Sequence, residues 1–101
     1  MNTKDDNVVI PLVDEIISQV ANDYHISKAR ILSSKRDFRL VDCRAIISGI
    51  LNELKYPKKS IAQFIKKRDN SVVLNLLNRV RIRPDLDSAV KKYIEHFKSK
   101  L

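Results

Sequence analysis

Apolar residues recur at intervals of three and four along almost the whole chain, and alternation with a period of two is nearly absent. A repeat near 3.6 residues places side chains on one face of a helix, whereas strands require a period of two. The clearest example is the segment 73–80, in which Val73, Leu76, Leu77 and Val80 fall at positions i, i+3, i+4 and i+7. The pattern therefore predicts an all-α protein.

Short breaks divide this pattern into five to six helices. We expect them at about residues 10–24, 27–32, 40–54, 60–65, 69–82 and 87–98. Pro11 suits the first turn of the first helix, Ser27 and Ser60 suit N-caps, and Pro84 ends the fifth helix. Gly49 lies inside the third helix, where glycine is unfavourable, so it indicates a close helix–helix contact.

The length of 101 residues fits one domain with one modest core. We expect a flexible N-terminus over residues 1–9 and a single helical domain over residues 10–101. The stretch 33–39 is polar and basic and is expected to form an exposed loop.

The charge of the chain is uneven. Lys and Arg number 20 against 12 Asp and Glu, for a net charge of +8, yet residues 25–84 alone carry 15 basic and 4 acidic side chains. A basic region between less basic flanks is typical of proteins that bind polyanions, although lysine spread over a helical surface often serves only solubility.

Several function classes lack the residues that they need. A chain with one glycine cannot form a glycine-rich phosphate loop. One cysteine and two distant histidines are too few for a disulfide framework or a conventional metal site. Cys43, His25 and His96 have no partner at a catalytic spacing, so we do not expect an enzyme. No apolar run approaches the roughly 20 residues of a membrane span, and no signal-type segment opens the chain. We therefore expect a cytoplasmic protein with no metal, no small-molecule cofactor and no membrane contact.

The short fourth helix, tight turn and longer fifth helix have the shape of a helix-turn-helix, which many helical domains also contain by chance. The fifth helix begins with short polar side chains, among them Asn70, Ser71 and Asn75. Asn pairs with adenine in the major groove, and Ser and Asp also match base edges. Another interpretation is that Asp69 only caps the helix while Asn70 and Ser71 fill its first turn. The two interpretations are compatible.

Four motifs follow one another along the chain: Tyr24-His25-Ile26-Ser27, then Leu32-Ser33-Ser34-Lys35-Arg36, then Val41-Asp42-Cys43-Arg44, and finally IAQFIKKRDNSVV at residues 61–73. Over about residues 12–83 the chain thereby resembles the C-terminal DNA-binding domain, domain IV, of the bacterial replication initiator DnaA. The corresponding family patterns are Y-x-I-S/T, a basic L-x-S-K/x-x-R loop, V-x-x-P-R and I-G-x-x-F-G-G-R-D-H-T/S-T-V.

The resemblance implies a TrpR-like helix-turn-helix fold and sequence-preferring binding of double-stranded DNA, with the helix at about 69–82 in the major groove. It places the basic stretch at about 34–39, through Arg36, in the minor groove, and Arg44 on the DNA backbone. The candidate DNA-binding residues, taken together, are Lys35, Arg36, Arg39, Arg44, Lys58, Lys59, Lys66, Lys67, Arg68, Asp69, Asn70, Ser71 and Asn75.

The sequence departs from the family pattern at the helix tip. Asn70 stands in place of the family's His, and Lys66 and Lys67 stand in place of Gly-Gly. We expect a changed base preference and added charge toward phosphates. The nucleotide-binding AAA+ module of the initiator has no counterpart, so we expect a free-standing, nucleoid-associated module in replication or its regulation. We expect it to be a monomer or weak dimer.

An alternative function keeps the same fold. The chain would then be a protein-interaction module that regulates a replication or transcription protein. The acidic first helix, together with Asp37 and Asp42 in a region that the family keeps basic, supports this alternative.

Overall fold

The computed structural model describes the backbone of residues 3–99 and the side chains of residues 12–99. Six helices make up these residues, and no strand occurs among them: α1 (Thr3–Asp23), α2 (Lys28–Ile31), α3 (Phe38–Glu53), α4 (Lys58–Phe64), α5 (Asn70–Ile82) and α6 (Pro84–Lys98). The expected all-α class with a helix-turn-helix, here α4 and α5, is confirmed.

Helix α3 lies at the centre of the fold and packs against each of the other five helices. Residues 43–51 are buried without interruption, which is expected of a helix that is covered on every side. Only two of these buried residues, Arg44 and Ser48, are polar. The core stripes of α1, α5 and α6 face α3, as their apolar spacing predicted.

Gly49 explains how α6 reaches α3 so closely. A Cβ atom added at Gly49 would lie 2.7 Å from Cγ2 of Val90 on α6, which is shorter than van der Waals contact. The predicted close contact at Gly49 is therefore confirmed, and the glycine is required by the neighbouring helix.

The apolar pattern predicted that the first helix begins at about Ile10, but the helix begins at Thr3. Residues 3–7 are polar, so they carry no apolar period to extend the prediction toward the N-terminus. Pro11 consequently lies inside α1 and not in its first turn. Residues 1 and 2, the start of the expected flexible segment, lie outside the described residues.

Three later helices also begin earlier than expected. Asp37 caps α3, because its Oδ1 accepts a hydrogen bond of 2.8 Å from the backbone N–H of Arg39, so residues 38 and 39 are helical and not part of the loop. Helix α4 begins after Pro57, so Ser60 is not its cap. Pro84 occupies the first turn of α6, where its missing N–H costs nothing. The predicted N-cap at Ser27 is confirmed.

Helices α1, α3 and α4 end in one common way, although the chain has a single glycine. His25, Lys55 and Lys66 adopt the left-handed region, with φ of 55°, 75° and 62°. After each, the next backbone N–H bonds back across the last turn, as in the 2.7 Å bond from Lys67 N–H to the carbonyl of Ala62. This Schellman ending reverses the chain between α4 and α5.

Candidate nucleic-acid interface

Asp69 fixes the start of α5. Its Oδ1 accepts a 3.0 Å hydrogen bond from the backbone N–H of Ser71. Hydrogen bonds from the backbone and then the hydroxyl of Ser71 lower the pKa of Asp69, so its carboxylate is ionised at neutral pH. Capping by Asp69 is thus confirmed, and Asn70 and Ser71 are exposed in the first turn of the helix.

The solvent-facing side of α5 is mostly polar. Its buried side consists of Val73, Leu76 and Val80. On the opposite side Ser71, Asn75 and Asn78 are exposed, at spacings of four and three that share one helix face. This is the surface from which the sequence predicted base contacts by Ser71 and Asn75.

Sequence reasoning missed one residue of this face. Leu74 is 51% exposed and lies beside Ser71 and Asn75. Its position on the helix, one residue after the buried Val73, was the available signal. The sequence prediction named only polar residues as base contacts and therefore did not include Leu74.

The basic loop, residues 33–37 between α2 and α3, is tied to the turn before α5. Nζ of Lys67 donates a hydrogen bond of 3.1 Å to the carbonyl oxygen of Ser33, and Nη2 of Arg44 donates to the same oxygen at 2.9 Å. Two separate elements therefore hold the beginning of the basic loop at one point, although Ser33 and Lys67 are 34 residues apart.

Arg44 has a structural role in the fold. It is 3% exposed, and its Nε donates a hydrogen bond of 2.6 Å to the carbonyl of Ile31, at the end of α2. Nη2 adds the bond to Ser33 and a longer one, of 3.4 Å, to Arg30. The carbonyl of Ile31 lies at the end of the four-residue α2, where a helix lacks donors of its own, so Arg44 supplies one. The carbonyl of Arg30 also accepts from the backbone N–H and the hydroxyl of Ser33. Arg44 is thus held within the fold, and its predicted contact with the DNA backbone remains a prediction.

A cleft of about 280 Å³ lies between the basic loop and α5. Arg36, Arg44 and Lys67 line it together with Val72 and Asn75 of α5. Burial lowers the pKa of Lys67, and the positive charges of Arg44 and Arg36 lower it further. Arg36 and the exposed face of α5 consequently lie on the same side of the molecule, and the cleft between them is positively charged.

The remaining predicted cations occupy different places. Lys35, Lys66 and Arg68 are exposed in the basic loop and in the turn before α5. Lys58 and Lys59 are exposed at the start of α4, the first helix of the helix-turn-helix. The predicted contacts of these five residues with DNA remain predictions.

Arg39 is bound to the end of α1. Its Nη2 donates a hydrogen bond of 2.9 Å to the carbonyl oxygen of Tyr24, just after the end of α1. The exposed guanidinium thus holds the end of α1, and the structure does not bring it into the cleft lined by Arg36.

The two acidic residues that supported a protein-binding function have structural partners. Asp37 caps α3. Asp42 accepts from Nε of Arg79 at 2.8 Å and from Nη2 of Arg83 at 3.4 Å. These ion pairs fasten the C-terminal end of α5 to α3, so both carboxylates are explained without a partner protein.

The described residues offer neither a metal site nor a membrane span. Within residues 12–99, no group of three or more His, Cys, Asp or Glu side chains is placed to hold a metal ion. Over the same part of the chain, no helix combines the length and the apolar character needed to cross a membrane.

Comparison with known proteins agrees with the geometry. Residues 13–80 match the family described as "Bacterial dnaA protein helix-turn-helix". The chain is also similar to the chromosomal replication initiator protein DnaA of Aliarcobacter butzleri (strain RM4018), with 29% identity over 97 residues, which are 95% of this chain and 22% of that protein. The chain thus spans about a fifth of this relative. No solved structure matches it significantly. Because the family covers well over half of its length, the chain belongs to the helix-turn-helix family of bacterial DnaA, a family of DNA-binding domains.

Proposed function

We propose that this protein binds double-stranded DNA with a sequence preference, placing α5 in the major groove and the basic loop in the adjacent minor groove. One observation carries the proposal: Arg36 of the basic loop and the exposed polar face of α5 border the same cationic cleft. A duplex presents a phosphate backbone between its two grooves, so a positive cleft between two reading elements suits its shape and charge.

The proposed contacts divide into two kinds. Asn70, Ser71 and Asn75 carry short polar side chains that match base edges, with Asn suited to adenine. Asp69 both caps α5 and offers its second carboxylate oxygen to a cytosine amino group.

The cations around this tip make the second kind of contact. Exposed Lys35, Lys66 and Arg68 flank the cleft and are proposed to contact phosphates, as are Lys58 and Lys59 at the start of α4. Arg36 is proposed to enter the minor groove. With five phosphate contacts, a plot of log affinity against log salt concentration has an expected slope of about −4 to −5.

Asn70→Ala tests the base-reading part of the proposal. We expect it to weaken binding to a site selected from random duplexes by about 1–3 kcal/mol and to leave binding to random DNA almost unchanged. Fluorescence anisotropy at fixed salt measures both affinities. Asn22→Ala, in the last turn of α1, is the matched control and should change neither value. An equal loss on both duplexes would show that Asn70 reads no base.

The cellular role follows from the family. A relative that aligns with 95% of this chain is named a chromosomal replication initiator. We infer that this chain acts on DNA in replication or its regulation. We further infer that it is a cytoplasmic protein associated with the nucleoid and that it acts as a monomer or weak dimer. The chain covers only 22% of that relative, so the other activities of the initiator are not carried over.

A second candidate function rests on two exposed apolar residues. Phe38 is 68% exposed and Ile82 is 66% exposed. Phe38 lies one helical turn before Asp42, and Ile82 lies between Arg79 and Arg83, both of which bond to Asp42. This neighbourhood suits a protein partner that regulates replication or transcription. If micromolar protein fails to bind random duplex at low salt, this second function is favoured over the first.

A further inference from the structure

Lys67 is a lysine whose charged group lies among other cations. Its Nζ donates the 3.1 Å hydrogen bond to the carbonyl of Ser33, and its side chain lines the cleft of about 280 Å³ together with Arg36 and Arg44. The residues that line this cleft all belong to the described part of the chain, and none of them is acidic. Two guanidinium groups therefore oppose the positive charge of Lys67, and no carboxylate of the cleft balances it.

This environment favours the neutral, nucleophilic form of the amine. Burial lowers the pKa of Lys67, and the charges of Arg44 and Arg36 lower it further. A lysine that is desolvated or lies beside another cation is the form in which lysine acts as a nucleophile. The neutral amine still carries N–H groups, so it can keep its hydrogen bond to Ser33 while the lone pair of the nitrogen reacts. Lys66, one residue earlier, is exposed and lies outside the cleft.

The other residues of the cleft suit an anionic acyl donor. Arg36 is exposed, and a guanidinium binds two oxygens of a phosphate at once. Val41 and Val72 add apolar surface for a short acyl chain. An acyl phosphate combines a phosphoryl group with a reactive acyl carbon, so its two parts match the two kinds of side chain.

We propose that Lys67 is a modification site, acylated at Nζ by a small acyl phosphate that binds in the cleft with its phosphoryl group on Arg36. The neutral amine nitrogen forms a bond to the acyl carbon. The bond from that carbon to the bridging phosphate oxygen breaks, and inorganic phosphate leaves with the electron pair. The proton released by the nitrogen passes to the departing phosphate or to water.

The product is a neutral amide, so the cleft loses one positive charge. The acylation itself does not depend on the proposed function. Its consequence, a weaker affinity for DNA, does rest on that function, because it assumes that Lys67 contacts a phosphate or positions the basic loop.

Acetyl phosphate tests the site directly. The full chain is incubated with it at about pH 8, and mass spectrometry of peptides follows acetylation at each lysine with time. We expect Lys67 to react at least about fivefold faster than Lys66, because the donor is held beside a neutral amine. Equal rates at the two lysines would overturn the inference.

Two variants and a second reagent test the role of Arg36. Arg36→Ala should remove most of the advantage of Lys67 toward acetyl phosphate. It should slow much less the reaction with the N-hydroxysuccinimide ester of acetic acid, which carries no phosphoryl group. Lys35→Ala removes an exposed cation of the same loop that does not line the cleft, and should leave the rate at Lys67 within about twofold of the unaltered protein. Circular dichroism confirms that both variants are folded. An equal effect of Arg36→Ala on both reagents would show that the cleft does not bind the phosphoryl group.

Fluorescence anisotropy with random duplex at low salt measures the consequence. Protein acetylated at Lys67 should bind about threefold or more weakly than untreated protein. An unchanged affinity would refute the effect on DNA binding. If Lys67 is acetylated selectively but neither form binds any duplex, the modification site stands and the proposed function fails.

Discussion

Lys67 and Arg44 donate hydrogen bonds to one carbonyl oxygen, that of Ser33, at 3.1 Å and 2.9 Å. Lys67 lies in the turn immediately before α5, and Ser33 begins the basic loop. The spacing between the two proposed DNA-reading elements is therefore set by contacts within the protein. Lys67 thus has a positioning role in addition to the phosphate contact that the sequence predicted for it.

Lys67→Met separates these two roles. If Lys67 positions the basic loop, the loss of affinity for DNA should be smaller when Arg36 has already been replaced by Ala, with a coupling of about 0.5–2 kcal/mol. A lysine that only contacts phosphate should instead change the salt slope by about 0.9 and show no coupling. Lys66→Met, one residue earlier and exposed, is the control for the phosphate-only behaviour. A Lys67 result that matches the Lys66 result would remove the positioning role.

Arg44→Met should destabilise the fold by about 1–3 kcal/mol. The substitution leaves the carbonyl of Ile31 without its donor in a buried site, and an unsatisfied group of this kind is costly, whereas the carbonyl of Ser33 keeps its bond from Lys67. Urea unfolding followed by circular dichroism measures the loss. Arg30→Met, on the exposed side of α2, should stay within about 0.5 kcal/mol of the unaltered protein. Similar stabilities for the two variants would contradict the structural role of Arg44.

Lys66→Gly should stabilise the protein by about 0.5–1 kcal/mol. Lys66 has a φ of 62°, a conformation that is strained for a residue with a Cβ atom and relaxed for glycine. Lys59→Gly, within α4, should instead lose up to about 1 kcal/mol, because glycine is unfavourable inside a helix. Thermal and urea unfolding report both changes. The prediction fails if glycine at position 66 destabilises the protein as it does at position 59.

Cys43 should resist alkylation in the folded protein. Its side chain is fully buried, and burial, together with the charge of Asp42, raises the pKa of the thiol to about 11. A folded pKa above the ordinary value of 9.0 means that the neutral thiol is favoured by folding. This contribution to stability is complete below pH 9 and declines as pH rises through about 11. Iodoacetamide at pH 8 should label Cys43 rapidly only in unfolding concentrations of urea, and rapid labelling without urea would contradict the burial.

Regular periodicity and capping chemistry made much of the fold predictable. The apolar stripe of α5, the cap at Asp69 and the close contact at Gly49 all follow from local rules of spacing and conformation. The start of α1 did not follow from those rules, because residues 3–7 have no apolar pattern.

The burial of Arg44 could not be predicted in the same way. Arginine is mostly exposed in proteins, and only the packing of α2 against α3 brings unpaired carbonyls to its guanidinium. The meeting of Lys67 with Ser33 has the same origin, since it joins residues far apart in the sequence. The exposure of Leu74 could have been predicted from its position on the helix, but the significance of that exposure depends on the polar residues around Leu74.

The ion pairs of Asp42 with Arg79 and Arg83 have a mechanical consequence. They anchor the last turn of α5 to α3, while the turn before its first residue is held through Lys67 and Ser33. Because both ends of α5 are held by these contacts, the helix has little freedom to change its tilt relative to α3. In the proposed complex with DNA, adjustment during docking then falls on the nucleic acid. Its local stiffness should influence which sequences are accepted, even at base pairs that no side chain touches.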